Sequence, residues 1–212
     1  MRALRNLTFA CLIATPVLAD PIKLVALGDS LTQGYGLPPE DGFVPQLEAW
    51  LRASGQDVTV INAGVSGDTT AGGLARLNWT LTPDVAAMIV TLGGNDILRG
   101  IDPANSRANL EKIVKTVTDR HLPLLLVGFQ APSNFGPDYK TAFDTIYPDL
   151  SQKYGTLLTE SFFAPLVAEA KDRADVLQYF QPDGLHPNKE GVAKIVAGLG
   201  PQVLDLLAQV KP

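Results

Sequence analysis

The sequence predicts an α/β fold: a three-layer α/β/α sandwich around a mainly parallel sheet of five strands. Five short apolar runs rich in Val, Ile and Leu recur along the chain. Patterns with helical spacing separate these runs, and several of the runs end in Gly, Asp or Asn. Strands buried on both faces of a parallel sheet have this continuous apolar character. Their alternation with helices is typical of βαβ units with right-handed crossovers.

The five predicted strands are the apolar runs themselves. They cover residues 22–27, 58–61, 85–92, 123–129 and 156–159. In open sheets of this kind the first and third strands often lie side by side, and ligands bind beyond the carboxyl ends of the strands. We therefore expect function in the loops that follow these runs.

The predicted helices follow from apolar residues spaced three and four apart. Their core faces comprise Phe43, Val44, Leu47, Trp50 and Leu51; Leu74, Leu77 and Leu81; Leu110, Ile113, Val114 and Val117; Phe143, Ile146, Tyr147 and Leu150; and Val192, Ile195, Val196 and Leu199. We expect the fourth helix to bend near Pro148, the last to kink at Pro201, and a short helix within 162–170.

The first 19 residues have the pattern of a secretory signal peptide. Arg2 and Arg5 precede an apolar run from residue 7 to residue 18, and Ala19 precedes the expected cleavage site. This run is shorter than the roughly 20 residues that span a bilayer. We expect an exported protein, periplasmic or secreted, without stable membrane insertion, whose residues 20–212 form one domain. The only cysteine, Cys11, lies in the leader, so the exported chain would form no disulfide.

The charge balance excludes several partners. Lys and Arg number 17 against 22 Asp and Glu, a net charge of −5 that becomes −7 when the two leader arginines are removed. No cluster of basic residues interrupts this acidic balance. Binding to nucleic acid or to anionic lipid is therefore not expected. Small or neutral molecules are the expected partners, and we expect a monomer, although an oligomer stays open.

Ser30 is the candidate nucleophile because it follows the first predicted strand directly. Taken alone, the segment Gly28-Asp29-Ser30 favours an ordinary strand-to-helix turn. A serine hydroxyl also needs an adjacent base, usually a histidine oriented by an acid. The decision therefore depends on the two histidines in the chain.

His186 is the candidate base. Asp183 precedes it by three residues, a spacing at which the carboxylate can accept a hydrogen bond from the ring. The alternative for this segment is a proline-rich turn before a helix capped by Asn188. His121 follows a predicted helix end, where an imidazolium suits the helix dipole. The order Ser30, Asp183, His186 is that of many α/β hydrolases, although no G-x-S-x-G elbow occurs.

Acyl transfer further requires hydrogen-bond donors for the developing oxyanion. The candidates are the backbone N–H groups of Ser30 and Gly64 and the side-chain amide of Asn95. Asn95 follows Gly93 and Gly94, so a simple turn is the alternative for it.

Four segments resemble, in order, the sequence blocks of the SGNH (GDSL) hydrolase superfamily. They are Gly28-Asp29-Ser30-Leu31, Gly64, Gly93-Gly94-Asn95-Asp96 and Asp183-Gly184-Leu185-His186-Pro187. The resemblance implies that the family's Ser, Gly, Asn and His correspond to Ser30, Gly64, Asn95 and His186, with Asp183 as the acid. It also implies a flavodoxin-like form of the predicted sheet, the SGNH hydrolase fold.

Further segments are similar to bacterial periplasmic arylesterases of the thioesterase I, protease I and lysophospholipase type. They are 62–70, 73–77, 98–100 and 146–148. This resemblance implies hydrolysis of aryl esters, acyl thioesters and lysophospholipids. A polysaccharide O-deacetylase of the same fold and a non-catalytic flavodoxin-like binding module are the alternatives.

The remaining predictions concern the substrate groove and cofactors. Apolar residues in or beside the strand-end loops could line an acyl groove, with core or loop packing as the alternative for each: Ile97, Leu98, Ile101, Phe129, Pro132, Phe135, Tyr139 and Leu185. The sequence has no G-x-G-x-x-G after the first strand, no Gly-rich Lys-Ser/Thr phosphate loop and no histidine cluster. We expect neither a metal nor a cofactor.

Overall fold

A computed structural model describes residues 20–168 and 170–211. Within them the chain forms a five-stranded sheet in the order β2-β1-β3-β4-β5, and every neighbouring pair is parallel. The strands are β1 (Ile22–Gly28), β2 (Val58–Gly64), β3 (Ala87–Thr91), β4 (Leu124–Val127) and β5 (Leu157–Thr159). The predicted fold class is confirmed, and the predicted leader at residues 1–19 lies outside the described residues.

Two groups of helices pack against the sheet. One group comprises α2 (Phe43–Ala53), α8 (Ala164–Val167) and α10 (Lys189–Leu207), with α10 in contact with the other two. The other comprises α3 (Thr70–Thr80), α5 (Pro103–Asp119), α6 (Pro137–Asp144) and α7 (Ile146–Tyr154). The apolar helix positions predicted from spacing are largely the buried ones: Leu47, Leu77, Ile113 and Val196 are all at most 2% exposed. None of the helices in the described ranges combines the length and apolar character needed to cross a bilayer.

The bend predicted near Pro148 lies three residues earlier. Thr145 separates α6 from α7, and Pro148 is the third residue of α7. A proline is tolerated there because the N–H groups of the first helical turn have no acceptor within the helix. Pro201 lies inside α10, which runs on to Leu207 as one helix.

Three further short α-helices lie in the described part of the chain. They are α1 (Ser30–Gln33), α4 (Gly94–Leu98) and α9 (Arg173–Leu177). Helix α9 was not predicted, because five residues are too few to show a helical period. The Asp172 side chain caps it by accepting hydrogen bonds from two backbone N–H groups. The first two begin directly beyond β1 and β3.

The register of the sheet brings three strand ends together. Gly28 at the end of β1 is paired with Gly64 of β2 and with Thr91 of β3. A Cβ on Gly28 would lie 2.9 Å from the Thr91 carbonyl oxygen, so only glycine allows this approach. The loops that follow β1, β2 and β3 therefore share one edge of the sheet.

Candidate active site

Ser30 is the first residue of α1, directly after β1. The Asp29 side chain caps this helix, with its carboxylate accepting from the backbone N–H of Leu31 at 3.0 Å. The strand fixes the backbone before Ser30 and the cap fixes the backbone after it. The hydroxyl is thereby held in the wall of a cavity at the edge of the sheet.

The structure brings the three predicted catalytic residues together. Ser30 Oγ lies 2.8 Å from His186 Nε2, and His186 Nδ1 lies 2.7 Å from Asp183 Oδ2. Both distances are those of hydrogen bonds. A carboxylate at Nδ1 places the ring proton on that nitrogen, which leaves Nε2 free to accept the serine proton.

The loop of His186 is organised by Asp183. The second oxygen of this carboxylate accepts from the backbone N–H groups of Leu185 and His186, at 2.9 and 3.0 Å. Gly184 adopts a φ of +67°, which permits the tight turn. The two backbone hydrogen bonds, together with the bond from the ring, lower the pKa of Asp183 to about 2. Asp183 is therefore ionised wherever His186 can act as a base.

A second carboxylate, Asp29, lies next to Ser30 and is only 2% exposed. Burial raises its pKa to about 6, against the opposing effects of hydrogen bonds from Leu31 and Asn95 and of the charge on His186. Neither the sequence pattern nor the turn chemistry indicated this burial.

Asn95 also faces the cavity. Its side-chain amide donates to the Asp68 carbonyl at 3.0 Å and to Asp29 Oδ2 at 3.3 Å. Its neighbour Asp96 is fully buried and accepts from Thr70 N, Thr70 Oγ1 and Ser106 Oγ, which anchors α4. An oxyanion would have to replace one of the two acceptors of Asn95, and the longer bond to Asp29 is the weaker one.

The structure does not bring Gly64 into the wall of this cavity. Its N–H donates to Asn62 Oδ1 at 2.9 Å, and the residue borders a separate groove beside Trp79. The reason is the length of β2, which continues three residues past the apolar run and keeps Gly64 paired with Gly28. Gly67, at a φ of +83°, lines the cavity instead.

The cavity has a volume of about 630 Å³ and a mainly apolar wall. Among the predicted groove residues, Ile97, Leu98, Phe129, Pro132 and Leu185 line it. Ile101, Phe135 and Tyr139 do not, because their loops fold onto each other. The ring centroids of Phe135 and Tyr139 are 4.8 Å apart, and the Tyr139 hydroxyl donates to the Ile101 carbonyl.

Other lining residues were missed by the sequence reasoning. They include Tyr35, Phe163 and Val167. Phe163 and Val167 follow β5, so the rule that ligands bind beyond strand ends could have found them. Tyr35 lies five residues beyond Ser30 with no pattern that distinguishes it from a turn residue.

A serine hydrogen-bonded to a histidine that is oriented by a carboxylate, in the wall of an apolar cavity, is the site of a serine hydrolase. The sequence agrees with this class. Residues 26–194 match the model of the GDSL-like Lipase/Acylhydrolase family, and the chain belongs to that family. The predicted resemblance is thereby confirmed.

Relatives of known name cover most of the chain. An arylesterase of Vibrio mimicus is 36% identical over 93% of this chain and 96% of its own. The thioesterase 1/protease 1/lysophospholipase L1 of Escherichia coli is 33% identical over 87% of this chain and 84% of its own. Among solved structures, AlinE4, an SGNH-hydrolase family esterase, is 41% identical, covers 90% of this chain and 98% of its own, and has a TM-score of 0.72.

Proposed function

We propose that this protein is a serine esterase that cleaves carboxylic esters and thioesters through an acyl-enzyme on Ser30. The observation that supports this most directly is the unbroken series of hydrogen bonds from Asp183 through His186 to Ser30 Oγ. The names of the relatives, an arylesterase and a thioesterase/lysophospholipase, agree in reaction type.

The first half-reaction forms the acyl-enzyme. His186 Nε2 removes the proton of Ser30 as its Oγ attacks the acyl carbon, and the negatively charged Asp183 stabilises the resulting imidazolium. The oxyanion accepts from the N–H groups of Ser30 and Gly67 and from the Asn95 amide. The tetrahedral intermediate then collapses, and His186 gives its proton to the departing alcohol or thiol.

The second half-reaction returns the free enzyme. Water attacks the acyl carbon while His186 takes one of its protons, and the same donors stabilise the second oxyanion. Collapse of this intermediate releases the carboxylic acid, and the proton on His186 returns to Ser30. No group beyond the chain and water enters this balance.

The cavity favours substrates with an apolar acyl or aryl group. Aliphatic and aromatic side chains form most of its wall, and the acidic chain offers little attraction to polyanions. We propose aryl esters, acyl thioesters and lysophospholipids as the substrate range. The signal-peptide pattern supports an exported enzyme, in the periplasm or outside the cell. We further propose that it is a monomer of one domain.

The test compares p-nitrophenyl acetate with p-nitrophenyl octanoate, using the wild type and Ser30→Ala. We expect hydrolysis of both esters, a preference for octanoyl, and loss of nearly all turnover in the variant. A strong preference for acetyl would favour the polysaccharide deacetylase. Absence of hydrolysis in the wild type would favour a binding module.

A further inference from the structure

The ring of Tyr35 packs against the imidazole of the proposed catalytic base. The centroids of its ring and of the His186 imidazole are 4.6 Å apart, with 36° between the planes. About half of the surface of Tyr35 is exposed, whereas only 18% of the His186 side chain is exposed. The tyrosine ring thus covers part of the imidazole and also borders the cavity.

The backbone around Tyr35 is shaped to hold it there. Gly34 and Gly36, on either side, have φ values of +89° and +75°, a region that residues with a Cβ rarely adopt. A Cβ on Gly36 would also lie 2.2 Å from Gln181 Oε1. A side chain at position 36 would therefore displace the Gln181 side-chain amide.

Gln181 connects the loop of Tyr35 to the loop of His186 by hydrogen bonds. Its side-chain amide donates to the Tyr35 carbonyl at 2.8 Å and to the Pro187 carbonyl at 3.0 Å. Its backbone N–H donates to the His186 carbonyl at 2.8 Å. One residue thereby fixes the position of the tyrosine relative to the histidine.

We propose that Tyr35 is a positioning residue for His186 whose ring also stabilises the imidazolium formed during catalysis. An aromatic face within about 6 Å of a cation attracts it. Two carboxylates face His186 as well, Asp183 through a hydrogen bond and Asp29 through its charge. Tyr35 adds an uncharged contact that favours the same charged state. This inference rests on the proposed role of His186 as the base.

The kinetic test uses Tyr35→Phe and Tyr35→Leu with p-nitrophenyl acetate, whose small acyl group makes few contacts with the cavity. We expect Phe to keep the wild-type kcat within about twofold, and Leu to lower kcat about two- to tenfold with little change in KM. The acidic limb of the profile of kcat/KM against pH should move to lower pH in Tyr35→Leu and stay in place in Tyr35→Phe. A matched control is Leu98→Ala, another exposed residue of the cavity wall, which should change KM for octanoyl esters.

NMR tests the contact between the rings of Tyr35 and His186. The chain has two histidines, so His121 serves as an internal reference. Loss of the tyrosine ring current in Tyr35→Leu should shift the His186 ring protons by some tenths of a ppm and leave those of His121 in place. A Leu variant with wild-type kcat, pH profile and His186 shifts would overturn the inference, as would a change confined to KM. A wild type without esterase activity would instead refute the proposed function, since the ring-current shift would persist.

Discussion

Replacing Asp29 with asparagine tests whether a buried charge beside the nucleophile lowers the stability of the protein. The carboxylate is 2% exposed, and its pKa in the folded protein is about 6, against 3.8 as the reference. Asparagine has nearly the same shape and keeps an oxygen that can accept from Leu31 N. It removes the charge and leaves the helix cap in place.

Proton binding by Asp29 decides whether the free energy of unfolding rises or falls with pH. Between about pH 4 and pH 6 the folded state binds more protons at Asp29 than the unfolded state, so the free energy of unfolding falls as pH rises through this window. Above about pH 6 the Asp29 carboxylate is ionised in the folded protein, and burial of its charge lowers the free energy of unfolding by the full amount. A shift from 3.8 to about 6 corresponds to about 3 kcal/mol at 1.36 kcal/mol per unit. Any cost of the substitution that does not depend on pH moves the whole curve by a constant.

The assay is urea unfolding of wild type and Asp29→Asn at pH 4 and pH 8. We expect the difference in the free energy of unfolding, variant minus wild type, to rise by up to about 3 kcal/mol between these two pH values. Asp205→Asn removes an exposed carboxylate from α10 and is the matched control. If the difference for Asp29→Asn is the same at both pH values, the charge of Asp29 carries no burial cost and the reasoning is wrong.

Four predictions, one of them again on Asp29→Asn, test the site by substitution. Asn95→Ala should lower kcat for p-nitrophenyl esters about a hundred- to a thousandfold with KM nearly unchanged, because its donor acts on the oxyanion; a change in KM alone would contradict this role. Gly67→Ala should fold, since a Cβ there meets only Arg99 at 3.6 Å, but a φ of +83° is strained for alanine, so the N–H should move away from the oxyanion and activity should fall. Gly64→Ala should lose stability instead, because its Cβ would lie 2.3 Å from Gln33 N. Asp29→Asn should keep a rise of kcat/KM with pH, because a histidine base produces this rise, and its disappearance would assign the rise to Asp29.

The fold and the three residues of the triad could be predicted because each depends on a local pattern. Apolar runs predict the strands, and the ends of the strands predict the loops that carry the site. Asp183 lies close enough to His186 in sequence for its carboxylate to contact the imidazole ring. The pairing of Ser30 with His186, 156 residues apart, followed from chemical need, since Asp183 can orient His186 whereas His121 follows a predicted helix end.

The remaining features depend on tertiary contacts that no local pattern encodes. Pairing with β1 extends β2 through Asn62 and Ala63 to Gly64, so Gly67, and not Gly64, lines the cavity. Ile101 and Phe135 do not line the cavity because their loops pack on each other through Tyr139. Asp29 was expected to be a turn residue, and its burial between the ends of β1 and α4 became visible only in the structure.

The most direct test of the central claim is the site of covalent labelling by a fluorophosphonate. Peptide mapping by mass spectrometry after reaction of the folded protein should find a single adduct, on Ser30. Labelling should be absent in Ser30→Ala and much slower in His186→Ala, because the serine then lacks its base. An adduct on another residue, or undiminished labelling of Ser30→Ala, would contradict the claim that Ser30 is the nucleophile.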